Sequence, residues 1–153
     1  MITKKDIEII SHFRNNARKK ITQISREMKI PVTTIYDKLR VHEKKFIKKH
    51  TTLLDFLKLG LYAKAHILIK PNKLSRNGLH KSLMENPNVN SLYKVNFGSD
   101  YLAEVIFKSA ADVENFVEEL EQMYDVGQAQ VFNVIEELKK EEFLTKPEHL
   151  ILA

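Results

Sequence analysis

The side chains best suited to binding chemistry follow Pro31, in a stretch whose apolar residues recur with helical spacing. The face opposite those apolar residues carries hydroxyl groups, one carboxylate and several cations. Such a mixture can meet base edges and phosphates together. Arg40 could bond a guanine and Asp37 could accept from cytosine, although pairing of Asp37 with Arg40 or Lys38 on its own helix is the commoner role. The alternative interpretation of the whole face is a solvated helix surface.

Two helices around a tight turn would position these side chains. Ile21 and Ile24 mark the first helix by their spacing. Pro31 cannot continue a helix interior but suits a helix start, so the second helix is predicted over about 32–45. An earlier helix is predicted over about 4–15. This layout is typical of a helix-turn-helix, in which the second helix of the motif enters a DNA major groove.

Further cations flank the motif on both sides. The basic run Arg18 to Lys20 lies beside a helix start, where free backbone N–H groups suit a phosphate, the alternative being a solvated cluster. Residues 46–54 are rich in β-forming residues and predict a wing strand whose Lys48, Lys49 and His50 could touch the DNA backbone or the minor groove. The predicted contacts with double-stranded DNA are Arg18, Lys20, Thr22, Val32, Thr33, Thr34, Tyr36, Asp37, Lys38, Arg40, Lys44, Lys48 and Lys49.

Charge is divided unevenly along the 153 residues. Residues 1–62 contain 15 Lys or Arg against 6 Asp or Glu, whereas residues 63–153 contain 10 against 14. A basic half joined to an acidic half suggests a polyanion-binding module next to a domain with a different task. Chance scatter of surface charge is the alternative.

Composition argues against several other classes of protein. The absence of cysteine excludes disulfides and Cys-based metal sites. No stretch approaches the roughly 18 apolar residues of a membrane span, and Met1 leads into charged residues rather than a signal peptide. His42 projects toward the apolar face of its helix, where a lone His is more often a core residue than a metal ligand. We therefore expect a cytoplasmic protein without membrane association, cofactor or metal.

The second half of the chain predicts the order strand, helix, strand, strand, helix, strand, which is a ferredoxin-like split βαβ. Both helices would cover one face of the sheet. The other face would carry Leu68, His66, Leu92 and Ile106, which are too apolar to remain exposed. The predicted elements cover residues 62–70, about 73–86, 89–97, 101–108, a helix that opens at 109–112, and 128–138.

Residues spread over most of the chain match the pattern of one family. They are Asp6, Ile9-Ile10, Asn16-Ala17-Arg18, Ile24-Ser25, Ile30-Pro31-Val32-Thr33-Thr34-Ile35, Ile47, Leu54-Asp55 and Lys58-Leu59-Gly60-Leu61. In them the chain resembles the Lrp/AsnC regulators, the leucine-responsive regulatory protein family. Lys20 stands where the family usually has a capping Ser or Thr, and Lys29 where a turn glycine is common. The glycine before the wing is also missing. A left-handed Lys29 would cost about 1 kcal/mol relative to Gly.

The resemblance implies an α+β protein with two domains. A winged helix-turn-helix with three helices and a small wing would span residues 1–54, followed by a linker over 55–61. A ferredoxin-like RAM domain, which serves dimerisation and effector sensing in the family, would span 62–144, and a tail would follow over 145–153. The resemblance also implies a homodimer, with tetramers and octamers left open, whose two recognition helices lie about 34 Å apart on a palindromic site.

The family's effector motif has a weak counterpart in the hairpin after the second strand of the predicted sheet. The residues Gly98-Ser99-Asp100-Tyr101 match it with the spacing one residue short and with Tyr and Asp exchanged. An amino-acid pocket and a plain hairpin turn explain these four residues equally well.

Three functions are compatible with these features. The leading one is a sequence-specific transcriptional regulator that dimerises and senses a small molecule such as an amino acid. The second is an architectural DNA binder that coats or bends chromosomes without a ligand. The third is an enzyme, because siroheme decarboxylases resemble this family, but His66, His80 and Arg76 form no evident acid–base pair. With no Gly-rich phosphate loop in the chain, we expect no enzymatic activity.

Overall fold

The chain divides into two compact units. The computed structural model describes residues 2–96, 101–146 and 148. The helical unit comprises the residues up to Leu53 together with those from Leu138 onward, and the sheet unit spans Leu54–Glu137. The predicted effector domain runs to residue 144, whereas the sheet unit ends seven residues earlier.

The final segment joins the helical unit through Arg14. The Nε–H of Arg14 donates to the carbonyl oxygen of Phe143 at 3.0 Å, and its guanidinium also forms an ion pair with Glu141. Glu141 and Leu144 both have positive φ angles, of 55° and 65°. Such conformations are costly for residues with a side chain and persist where the surrounding contacts hold them.

Three helices form the helical unit: α1 (Lys4–Asn15), α2 (Ile21–Met28) and α3 (Val32–Lys45). Their predicted positions are confirmed. Ile9, Phe13, Ile24 and Ile35 form the core between them, with other apolar side chains packed around it. Each of the three helices therefore contributes apolar side chains to one shared core.

The turn between α2 and α3 contains the predicted strain. Lys29 is left-handed, with φ 54° and ψ 41°. Ser25 closes this turn, because its carbonyl oxygen accepts from the Ile30 N–H at 3.2 Å and its hydroxyl donates to the Ile30 carbonyl at 2.6 Å. At the other end of α2, Lys20 is the N-cap residue and makes no side-chain capping bond.

The chain after α3 differs from the prediction. Residues 46–54 were expected to form a wing strand, but the structure assigns no strand there. The imperfect alternation of this segment leaves Leu53 and Leu54 more than half exposed, so no apolar face forms that could hold it against a neighbour. A segment rich in β-forming residues does not become a strand unless another strand pairs with it.

The sheet unit has the order β1, α4, β2, β3, α5, β4, which confirms the ferredoxin-like fold. Its strands lie side by side as β2-β3-β1-β4, and every neighbouring pair is antiparallel. None of the described helices of the chain is long and apolar enough to cross a bilayer. The elements are β1 (Ala63–Pro71), α4 (Arg76–Glu85), β2 (Val89–Lys94), β3 (Tyr101–Phe107), α5 (Ala110–Tyr124) and β4 (Val126–Asn133).

A bulge in β2 changes which side chains line the two faces of the sheet. Val89 and Leu92 both pack against the core, although they are three residues apart, because the register of β2 on β3 shifts between Val89 and Ser91. The prediction that Leu92 faces away from the helices is therefore wrong. Tyr93 takes that direction instead, opposite Leu102.

Lys29→Gly is expected to stabilise the helical unit by roughly 1 kcal/mol, because glycine adopts the left-handed conformation without strain. Chemical denaturation followed by circular dichroism measures the change. Lys29→Ala is the matched control, since it removes the charge and keeps the strain. Equal stabilisation by both variants would show that removal of the charge causes the effect, and would contradict the prediction that Lys29 is strained.

Candidate nucleic-acid interface

Helix α3 presents one exposed polar face and one buried face. Ile35 and His42 are buried against the rest of the helical unit, and Leu39 is partly buried beside them. This side holds the helix on its core. The opposite side therefore points outward with a fixed set of polar groups. The exposed side chains of α3 that were predicted to contact DNA are Val32, Thr33, Thr34, Tyr36, Asp37, Arg40 and Lys44.

Arg40 lies beside an aromatic ring rather than an acid. Its guanidinium carbon is 6.0 Å from the centre of the Tyr36 ring, and Tyr36 is 51% exposed. The expected pairing of Asp37 with Arg40 or Lys38 is not formed: among the described residues, Asp37 makes no ion pair. Among the described residues, the Tyr36 ring is the one group that contacts the Arg40 guanidinium, so no described acceptor occupies its N–H donors.

Lys38 is directed toward the protein. Its ammonium lies 2.7 Å from the Asp6 carboxylate on α1, and its side chain is 32% exposed. Lys19 likewise pairs with Glu27 at 2.6 Å. These two cations are thus neutralised within the helical unit, whereas the exposed cations of α3 form no ion pair with any described residue.

The predicted backbone contacts flank α3 at the surface. Arg18, Lys20 and Thr22 are exposed around the start of α2. Because Lys20 supplies no capping acceptor, the cap leaves first-turn N–H groups of α2 without a side-chain partner. Lys48 and Lys49 are exposed in the segment that follows α3. Cations and helix N–H groups of this kind suit phosphate oxygens.

Asp6 of α1 caps its own helix and also binds two side chains of α3, which the sequence analysis did not predict. Burial raises the pKa of its carboxyl, but hydrogen bonds from Lys38, from the hydroxyl and backbone of Thr3 and from His42 outweigh burial and hold the pKa well below its usual range. The capping pattern could reveal the bonds with Thr3. The bonds to α3 join residues more than 30 positions apart and leave no local signal.

The predicted effector motif can be followed only at its last residue. Gly98, Ser99 and Asp100 lie outside the described residues. Tyr101 opens β3 with 6% of its surface exposed, and its ring centre lies 5.7 Å from that of His80. Tyr101 therefore belongs to the core of the sheet unit.

The three polar residues that an enzyme would need do not converge. His66 lies on the sheet face away from α4, beside Glu104 at 3.5 Å, while Arg76 and His80 lie on α4 itself. Within the described parts of the chain, no group of three His, Asp or Glu side chains is arranged to hold a metal ion.

Two surface cavities of the sheet unit are large enough for a small molecule. One, of about 470 Å³, lies between α4 and the end of α5, and the other, of about 270 Å³, lies at the start of β2. The first is lined by Gly78, Lys81, Ser82, Glu85, Asn86 and Tyr124. The second is lined by Phe56, Leu61, Pro87, Asn88, Val89, Asn90 and Ile106.

Comparison with known proteins agrees with this architecture. The family model for the Lrp/AsnC ligand binding domain matches residues 64–143. An uncharacterized HTH-type transcriptional regulator of Pyrococcus horikoshii is 28% identical over 133 residues, which cover 84% of this chain and 89% of that relative.

Solved structures share the fold over nearly the whole chain. A transcriptional regulator of Neisseria meningitidis in complex with L-Met has a TM-score of 0.83 at 22% identity, covering 92% of this chain and 94% of that one. LrpC of Bacillus subtilis has a TM-score of 0.82 at 18% identity, covering 91% and 98%.

Asp6 should make the stability of the helical unit sensitive to acid. Its pKa is lowered on folding, so its contribution is complete above the ordinary carboxyl pKa of about 4 and is lost as the pH falls below it. Asp6→Asn should remove about 2 kcal/mol of this acid-dependent stability, measured by chemical denaturation at a series of pH values. Asp37→Asn, which changes an exposed acid of the same unit, is the control: this variant should still lose stability as the pH falls. An unchanged pH profile in Asp6→Asn would contradict the assignment.

Proposed function

Since the chain belongs to the Lrp/AsnC family of transcriptional regulators, we propose that it binds specific DNA sequences through α3 and acts as a dimer. The observation that carries this proposal is the outward face of α3. Hydroxyls, a carboxylate and an unneutralised Arg40 share it, while the buried face fastens the helix to its core. A helix so held can lie in a major groove and present these groups to base edges.

The exposed side chains in the first three turns of α3 would contact the base edges. Arg40 has the geometry for two hydrogen bonds to a guanine, and Tyr36 lies beneath it as a support. Thr33, Thr34 and Asp37 are exposed on the same helix and can bond to neighbouring bases. Lys44, near the end of the helix, would approach the backbone.

Phosphate contacts would come from the cations on either side of α3. Arg18 and Lys20 stand at the start of α2, and Lys48 and Lys49 follow α3. Contacts of this type position a protein on the duplex and supply affinity without reading sequence. They make up part of the excess of positive charge in the first 62 residues.

A second copy of the chain would cover the open face of the sheet. α4 and α5 cover the other face, and the open face carries partly buried Leu68 beside Leu102, with Tyr93 and Phe132 each more than half exposed. Apolar surface of this kind favours association. A two-fold pairing would give the protein two recognition helices for a palindromic site.

We also infer that the sheet unit responds to a small molecule, with an amino acid as the first candidate. The family model that matches this unit is that of a ligand-binding domain, and the related Neisseria structure is a complex with L-Met. The chain has two cavities of suitable size in this unit. Thermal shift measurements with the twenty amino acids test the inference.

Affinity for duplex DNA is expected to fall steeply between roughly 50 and 200 mM salt, because phosphate contacts release counterions. Arg40→Ala should lose about 1–3 kcal/mol of discrimination between bases, whereas Lys49→Ala should weaken binding to all sequences alike. Gel-shift titrations with selected and scrambled duplexes measure both effects. Affinity without salt dependence would overturn the proposal. Uniform footprints in place of defined sites would indicate an architectural binder instead.

Phe132→Lys is expected to weaken dimerisation at least tenfold, since a lone charge would enter an apolar interface. Phe132 is 54% exposed, so the substitution leaves the core of the protomer intact. Met123→Lys, at an exposed position of α5, is the matched control. Sedimentation equilibrium measures the assembly. A monomeric wild-type protein, or equal effects of the two substitutions, would contradict the proposed interface.

A further inference from the structure

The two oxygens of the Asp6 carboxylate contact different parts of the helical unit. One oxygen, Oδ2, accepts the backbone N–H of Thr3 at 2.8 Å and its hydroxyl at 2.5 Å, which closes the cap of α1. The other oxygen, Oδ1, faces α3, where Lys38 Nζ lies at 2.7 Å and His42 Nε2 at 3.1 Å. Asp6 is 8% exposed, so these bonds form largely out of contact with water.

His42 donates to this carboxylate from a buried position. A carboxylate has no hydrogen to give, so the Nε2 atom must carry the proton in this contact. The imidazole is 2% exposed, and its Nδ1 atom is buried with no hydrogen-bond partner among the described residues. The ring also lies against Phe46, with centres 5.8 Å apart. Among the described residues, the imidazole of His42 therefore has one polar contact, which is with Asp6.

Lys38 and His42 are one helical turn apart on α3 and reach the same oxygen. Two bonds at successive turns restrain both the rotation of the helix about its axis and its sliding along it. The apolar contacts of Ile35 and Leu39 hold the helix on the core, but apolar attraction has no direction of its own. Charge-assisted hydrogen bonds are directional.

We propose that Asp6 is the positioning residue of the recognition helix, and that Lys38 serves DNA binding by holding Asp6 rather than by contacting a phosphate. Base readout tolerates errors of only about 10–20° and 0.5 Å in the placement of a side chain. Rotation of α3 would displace Arg40, which stands two residues from Lys38 on the outward side. The inference rests on the proposed DNA binding and assigns a different role to one of its predicted contacts.

Lys38 and Lys44 provide a matched pair of substitutions on one helix. Lys38 is bound to Asp6, and Lys44 is exposed and has no ion pair among the described residues. Both can be changed to methionine, which keeps most of the side-chain length and removes the charge. Affinities of the full-length protein are measured over a range of salt concentrations, for a duplex selected from random sequence by the wild-type protein and for a scrambled duplex.

Lys38→Met is expected to lower the ratio of specific to scrambled affinity at least tenfold, with an unchanged slope of log affinity against log salt. Lys44→Met is expected to reduce that slope by roughly 0.9, the value for one phosphate, with little change in the ratio. Asp6→Asn should behave as Lys38→Met does. Lys38→Arg, which can still bond to Asp6, should restore most of the ratio.

A reduced slope with an unchanged ratio in Lys38→Met would show that Lys38 contacts a phosphate, and would overturn the inference. Circular dichroism separates misfolding from misplacement. If Asp6→Asn unfolds the helical unit, the comparison of Lys38→Met with Lys38→Arg decides whether Lys38 acts by holding Asp6. A wild-type protein that shows no salt-dependent binding to any duplex would overturn the proposed function itself, which is a distinct outcome.

Discussion

The buried carboxylate of Asp6 is the contact on which the geometry of the helical unit depends. A charge removed from water is tolerated only when strong donors surround it, and here Thr3, Lys38 and His42 supply them. The same group caps α1 and fixes α3. The start of one helix and the orientation of another are thereby set by a single side chain, and the low pKa of Asp6 expresses how strongly its surroundings favour the ionised form.

The cations of the basic half of the chain fall into two groups, those paired with acids of the helical unit and those exposed to solvent. Lys19 and Lys38 are neutralised within the helical unit by Glu27 and Asp6. Arg40 lies outward, and among the described residues its guanidinium contacts the Tyr36 ring alone. The formal charge of the first 62 residues therefore overstates the positive charge available to a polyanion. The exposed cations of α3 are part of the charge that remains available, and their place on the outward face favours DNA as the partner.

The sheet unit is subject to a different constraint. An antiparallel sheet can leave a polar face in water, but the open face here carries the apolar side chains of Leu68, Tyr93 and Phe132. α4 and α5 bury one face. The bulge in β2 turns both Val89 and Leu92 toward these helices and leaves Tyr93 on the open side. A self-complementary pairing of open faces satisfies the constraint and supplies the two recognition helices that a palindromic site requires. Dimer formation and DNA recognition would thus follow from one apolar surface.

The sequence by itself determined the elements whose signals are local. Apolar spacing located the helices of the helical unit, and Pro31 marked the start of α3. The left-handed turn at Lys29 was expected from the resemblance to the family, which commonly has a glycine there. The order of strands and helices predicted the ferredoxin-like fold, whereas the resemblance to the family was indicated by matching residues spread along the chain. These features depend on neighbours within a few residues, where periodicity and turn chemistry operate.

Only the tertiary structure decided which groups meet. The wing strand failed to form because its pairing depends on a partner strand and not on composition. Leu92 turned inward because a bulge reverses the alternation of a strand, and no local pattern announces a bulge. Lys38, which the sequence pattern predicted to contact DNA, lies beside Asp6, 32 residues earlier in the chain. Contacts between residues far apart in the chain depend on how the helices and strands pack together. Local patterns in a single sequence do not predict that packing.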